Sequence, residues 1–179
     1  MYKPRVGDLI MVHRHTPLET LTEWGEEIEL LRHHQQWPNR PVYGHVCVYI
    51  GNGTIIEALG RGLTVSKLSK YIGEADVWSH DVSGYDRDQI RHASIHMYRL
   101  GYGYSWWLDF LLALRMLFAY PVHWKQRKRV NCSAFAYDVW QYAWHKIAKH
   151  RACSPEDIAT FGYMRFQGVI DANMFNNEE

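Results

Sequence analysis

The stretch Tyr43–Glu57 reads Tyr-Gly-His-Val-Cys-Val-Tyr-Ile-Gly-Asn-Gly-Thr-Ile-Ile-Glu. Runs rich in β-branched and aromatic residues flank Gly51-Asn52-Gly53, a pattern that predicts a β-hairpin. Strand side chains alternate between faces, so His45, Cys47 and Tyr49 point one way. The side taken by Glu57 depends on the turn. A two-residue loop, Asn52-Gly53, pairs Glu57 with Val48 and sends it to the opposite face. A three-residue loop, Gly51-Asn52-Gly53, pairs Ile50 with Thr54 and Glu57 with Cys47. Glu57 then shares the His45 face, diagonal to it at roughly 7–8 Å along the backbone. Gly53 suits the left-handed position that such loops use, so an odd-length loop is the expectation.

A histidine oriented by a carboxylate is half of a nucleophile-activating arrangement. The other half is expected at Cys132. The spacing predicts a helix over Asn131–Lys149, with Cys132, Phe135, Ala136, Val139, Trp140, Ala143 and Ile147 on one face. Asn131 is a preferred cap residue. A cysteine just inside a helix N-terminus has its thiolate stabilised by free N–H groups and the positive end of the dipole. Its own N–H is a ready oxyanion donor. Cys47, on a strand, and Cys153, in a loop, lack that placement. The competing reading of Cys132 is a small buried cysteine at a helix start. Asp76, Asp81, Asp109 and Asp138 compete with Glu57 as the orienting acid.

Elsewhere, Val6–Val12 reads as a buried strand. Thr16-Pro17-Leu18-Glu19 opens a helix to about Gln35, ended by Trp37-Pro38-Asn39. Leu63–Ser66 and Asp76–Val82 read as strands. A helix capped by Asp86 carries Ile90, Ala93, Met97 and Leu100 at helical spacing and stops at Gly101. His92 and His96 stand four apart on it but off the apolar stripe, so they read as surface histidines before metal ligands. Leu108–Ala119 is a helix ending at Pro121. Ser154-Pro155-Glu156-Asp157 starts a short one, and Phe166–Ile170 is an edge strand. The fold class is α+β, a small, mainly antiparallel sheet or partial barrel with the Cys132 helix packed on it.

The chain of 179 residues reads as one domain, 1–179, with a flexible acidic tail at Asn176–Glu179. A net charge of +1 gives no reason to expect nucleic acid. Three cysteines make no disulfide framework, and the N-terminus lacks an apolar signal core, so a cytoplasmic setting is favoured. The apolar run Trp106–Tyr120 is too short to span a bilayer and carries Asp109 and Arg115. It reads as a half-buried helix, with peripheral membrane contact as the alternative.

Order and spacing of these pieces resemble the circularly permuted NlpC-type papain-like hydrolases, the YiiX-like branch, related to lecithin retinol acyltransferase. The matching pieces are Gly7-Asp8-Leu9-Ile10, Gly44-His45-Val46 with Tyr49, Gly51 and Gly53, Glu57-Ala58, and Leu100-Gly101 with Tyr104. Asn131-Cys132-Ser133 and Ser154-Pro155-Glu156-Asp157-Ile158-Ala159 complete the set, which spans about residues 5 to 160. In this branch the histidine strand precedes the cysteine helix, as here. Two positions twelve apart carry histidines in the acyltransferase relatives, and here the second is Glu57. Ser105 follows Tyr104 where the branch often has an acidic residue, and Pro17–Arg40 and Trp106–Arg129 lie outside the motifs.

The resemblance implies a permuted papain-like fold, with Cys132 as nucleophile, His45 as base and Glu57 as the polar third member. Tyr43, Tyr49 and Tyr104 are the candidate substrate-binding residues. The implied chemistry is acyl transfer and requires no metal or organic cofactor. Three readings of the function stand. One is a thiol hydrolase of peptide-type amides, such as cell-wall peptides. Another is a lipid-directed hydrolase or acyltransferase, favoured by Trp106, Trp107 and Phe110. The third is a non-catalytic binding module that keeps the fold. The partner is accordingly a peptide or a lipid acyl substrate.

Overall fold

The computed structural model describes residues 2–13, 43–118 and 128–174. The helix expected from Thr16, its Trp37-Pro38-Asn39 stop, the Pro121 helix end and the acidic tail lie outside the described residues. Six antiparallel strands form an open sheet: β1 (Leu9–His13), β2 (Tyr43–Gly51), β3 (Thr54–Leu59), β4 (Gly62–Lys67), β5 (Ala75–Ser79) and β8 (Arg165–Val169). Their order is β4-β3-β2-β1-β5-β8. A parallel pair, β6 (Gly103–Tyr104) and β7 (Arg129–Val130), lies apart from this sheet. The helices are α1 (Gly84–Arg99), α2 (Trp106–Phe118), α3 (Cys132–Tyr142) and α4 (Pro155–Thr160). The fold class is therefore α+β.

Period-two alternation gives the sheet two buried faces. Leu9, Met11, Val46, Val48 and Ile56 pack with Ile90, Met97, Phe135, Val139 and Trp140 of α1 and α3. Ile10, Cys47, Tyr49, Ile55 and Val77 face the other way, covered by Leu68, Tyr71 and Ile170. Leu68 and Tyr71 belong to a single 3-10 turn, Leu68–Tyr71, placed directly after β4. Each such fully buried large apolar side chain contributes about 1.5–3 kcal/mol. Trp140 also donates its indole N–H to the Gly7 carbonyl at 3.1 Å, tying α3 to the turn before β1.

The hairpin keeps the expected register by a different route. Cys47 pairs with Glu57, Val48 with Ile56 and Tyr49 with Ile55, and the ladder then shifts so that Gly51 pairs with Thr54. The turn itself has two residues, Asn52 and Gly53, both left-handed (φ 51° and 63°). Such turns match strand twist, which favours an even closure. The extra residue is absorbed as a bulge between Tyr49 and Gly51. An even turn with a bulge is thus equivalent, for Glu57, to the odd loop expected.

Several boundaries differ from expectation. Ser83, not Asp86, caps α1: its hydroxyl accepts the Asp86 N–H, and Asp86 sits in the first turn. The helix that starts at Cys132 ends at Tyr142 and does not reach Lys149. Trp144 is left-handed (φ 64°) and the chain folds back, where Arg151 grips Asp138 with two 2.6 Å bonds. Ile147 is buried through that returning segment, which mimics helical spacing. The strand predicted from Val6 begins at Leu9, because Gly7 turns with φ 88°. The strand predicted over Asp76–Val82 runs Ala75–Ser79 instead. α4 has the capping box expected of Ser154 and Asp157. β8 takes the edge position expected of the last apolar stretch. Among the described residues no helix is long and apolar enough to cross a membrane.

Candidate active site

The ladder between β2 and β3 runs from Gly51–Thr54 only as far as Cys47–Glu57, while β2 continues back to Tyr43. This frees one side of β2 at His45 and Val46, and the N-terminus of α3 enters there. Asn131 caps that terminus by accepting the Ala134 N–H at 2.8 Å, a contact of the kind that contributes about 1 kcal/mol. The β6–β7 pair sets Tyr104 opposite Val130, one residue before the cap, so Tyr104 flanks the cysteine end of the helix.

Glu57 is fully enclosed (0% exposed). Its Oε2 lies 3.1 Å from His45 Nε2 and accepts the Tyr71 hydroxyl at 2.7 Å, while Lys70 Nζ donates to Oε1 at 3.1 Å. Burial alone would raise this carboxyl's pKa. Hydrogen bonds from His45, Ser66 and Tyr71 outweigh burial and hold it well below the usual carboxylate range.

His45 is the centre of the arrangement. Burial disfavours its charged ring, yet Cys47, Cys132 and Glu57 around it raise its pKa well above the ordinary histidine value. Burial pushes the Cys47 thiol up, against the opposing effect of His45. Burial also works against the Cys132 thiolate, and Asp109 adds to that effect. The hydrogen bond and charge of His45, with the Val46 backbone N–H, prevail and lower the Cys132 pKa. The two shifts run in the directions that favour a proton on His45 and its loss from Cys132, while Glu57 holds His45 Nε2.

The three residues expected to act together, Cys132, His45 and Glu57, are thus brought together. The competing acids are placed otherwise. Asp76 accepts the Tyr43 hydroxyl at 2.6 Å, Asp138 pairs with Arg151, and Asp81 is exposed. Asp109 stands near Cys132 and His45. It accepts from Asn131 Nδ2 at 3.1 Å, and burial raises its carboxyl although Tyr104, Asn131 and His45 oppose that.

The hydroxyls of Tyr43 and Tyr49, two of the expected substrate-binding residues, have partners elsewhere in the fold. The Tyr43 hydroxyl is buried between Asp76 and the Trp78 indole N–H, and the Tyr49 hydroxyl accepts the Gly53 N–H at the hairpin turn. Tyr104 sits beside Asp109 and opposite Val130. Tyr71 and Lys70 were not legible as site residues, because a 3-10 turn after β4 leaves no spacing signal. His92 and His96 are exposed on α1, as expected.

No protein-family model matches the chain, and no curated protein matches it. The site therefore speaks through its chemistry alone. Trp106, Trp107 and Phe110 are 61%, 58% and 41% exposed at the start of α2, the helix that carries Asp109. Trp106 lies against Tyr104 and over Gly60, where a Cβ would come within 2.6 Å of the indole. Trp107 stacks on Phe110.

Proposed function

We propose that this protein is a thiol hydrolase of the permuted NlpC-type papain-like kind, acting on a peptide-type amide. The observation that carries the reading is His45 held at Nε2 by buried Glu57, 3.1 Å away, with Cys132 as its other neighbour. The Cys132 thiolate attacks the carbonyl carbon. The Cys132 N–H, free at the first helical turn, helps hold the developing oxyanion. The His45 imidazolium gives its proton to the leaving amine as the carbon–nitrogen bond breaks. Neutral His45 then takes a proton from water, which attacks the thioester and releases the acid. An amine leaves poorly without a proton, so a histidine kept protonated by Glu57 suits an amide.

The lipid-directed reading has one observation of its own, the exposed Trp106, Trp107 and Phe110 at the start of α2. Aromatic rings of this kind settle at membrane interfaces and against acyl chains. It uses the same attack on an ester or amide carbonyl.

The test is alkylation of the three thiols by iodoacetamide across pH. Cys132 is expected to label fastest, with a thiolate that persists below the ordinary thiol range. Lowering pH through its depressed pKa returns the proton to sulfur, so labelling falls. Raising pH through the elevated pKa of His45 removes the acid, so amide turnover falls while labelling does not. Glu57→Gln withdraws the counter-charge and is expected to move the labelling profile up by about one pH unit. Slow, equal labelling of Cys47, Cys132 and Cys153 would sink the proposal.

A further inference from the structure

Cys47 has no part in the reaction above, yet its sulfur sits inside the polar cluster that orients His45. His45, Cys47 and Glu57 each offer one ligand-type atom, all within 4.8 Å of one another. The His45 Nε2 to Glu57 Oε2 separation is 3.1 Å, and that from Cys47 Sγ to the same oxygen is 3.8 Å. A tetrahedral zinc site with bonds of about 2.0–2.3 Å has ligand–ligand edges of about 3.3–3.6 Å. Two of the three edges are therefore close to those values before any ion arrives, and the third is no longer than 4.8 Å.

A second observation points the same way. Three donors, His45 Nε2, the Tyr71 hydroxyl and the Cys47 thiol, converge on the single oxygen Oε2 of Glu57. One carboxylate oxygen offers about two lone pairs. Lys70 meanwhile holds the other oxygen, Oε1, as an outer partner that would orient a ligating carboxylate.

We propose that His45 Nε2, Cys47 Sγ and Glu57 Oε2 form a site for a borderline divalent cation such as Zn²⁺, and that occupancy switches off Cys132. The donor set of one imidazole, one thiolate and one carboxylate suits that class of ion over Mg²⁺ or Ca²⁺. Tyr71 or water fills the fourth position. The step involves no redox change. The Cys47 S–H bond breaks and a sulfur–metal bond forms, the proton leaving to solvent. The proton on His45 Nε2 also leaves, and the ring keeps its proton on Nδ1. Two anionic ligands balance the dication. With Nε2 on the metal and Nδ1 protonated, His45 has no site to accept a proton from water, and the imidazolium beside Cys132 is gone. The inhibitory consequence rests on the function proposed above; the binding site does not.

The experiment uses the full chain and two probes, Co²⁺ for its spectrum and Zn²⁺ for its effect. Co²⁺ is expected to bind one to one, with a sulfur-to-cobalt charge-transfer band and tetrahedral visible bands. Cys132→Ala should retain the band and Cys47→Ala should lose it. Zn²⁺ should slow iodoacetamide labelling of Cys132 about tenfold or more in the unsubstituted protein, a chelator should reverse this, and Cys47→Ala should be insensitive. Absence of the cobalt band, or its loss in Cys132→Ala with retention in Cys47→Ala, overturns the site. Should Cys47→Ala misfold, retention or loss of the sulfur-to-cobalt band in Cys132→Ala still decides. A Cys47-dependent cobalt band with an unreactive Cys132 would leave the metal site standing and remove the hydrolase reading.

Discussion

Replacing Cys132 by alanine is expected to lower turnover of a susceptible amide by about 10³-fold or more, with the fold unchanged. The thiolate forms the bond that divides the reaction into two steps, and no neighbour replaces it. Ser133 is next in the chain, with its hydroxyl 3.8 Å from the Cys132 sulfur, but burial leaves it a neutral hydroxyl with no base of its own. Alanine fits the first turn of α3 and keeps the Asn131 cap, so the helix persists. Far-ultraviolet circular dichroism and the unfolding midpoint check that the variant is native. The substrates to compare are wall-type peptides and acyl lipids in vesicles. Cleavage of peptides that Cys132→Ala abolishes supports the amide reading. Activity confined to vesicles, and lost in Trp106→Ala with Trp107→Ala, transfers the assignment to acyl lipids. Turnover that survives in Cys132→Ala excludes Cys132 as nucleophile.

The largest expected effect on stability comes from a site remote from this chemistry. Arg87→Ala is expected to cost about 3–5 kcal/mol, read as the shift in urea midpoint at constant slope. Asp8 is fully buried, and its Oδ1 takes Arg87 Nη1 at 2.9 Å together with the Ser79 hydroxyl. Its Oδ2 takes the Tyr2 hydroxyl at 2.7 Å and the Arg5 N–H at 2.8 Å. Arg87 also donates to the carbonyls of Val6, at 2.7 Å, and His80, at 2.8 Å. One guanidinium thus fastens the segment before β1 and the end of β5 to α1. Its removal leaves a buried carboxylate without its cation. Asp8→Asn with Arg87→Ala should cost less than the two single changes summed, since the uncompensated charge goes with the pair. A loss under about 1 kcal/mol for Arg87→Ala would show that water compensates Asp8.

The hairpin was readable from residues 43–57 because register is a local property. Alternation, the turn residues and two extended runs suffice to bring Glu57 opposite Cys47 and onto the His45 face. The sequence left the means open, and an even turn with a bulge achieved what an odd loop was expected to do. The helix start at Cys132 was likewise local, set by Asn131 and the apolar face that follows. The end of that helix was not. Ile147 continued the period but reaches the core through a fold-back that the Arg151–Asp138 pair holds. The hydroxyl partners of Tyr43 and Tyr49 were not readable for a related reason. A tyrosine in a strand near a histidine reads as a cleft residue, and its spacing does not show that its hydroxyl has Asp76 or the Gly53 N–H as its partner.

The sequence by itself determined that a histidine and a carboxylate share one strand face, and that a cysteine opens a buried helix. Both follow from periodicities of about two and 3.6 residues, acting over a few neighbours. Only the tertiary structure decided that the two meet. The β2–β3 ladder stops at Cys47, α3 enters the space beyond it, and Val46 offers its N–H to the sulfur. Tyr71 and Lys70 close on Glu57 from a turn with no period to read. Those contacts join residues far apart in the chain, where packing of whole elements fixes the distances and local spacing carries no information.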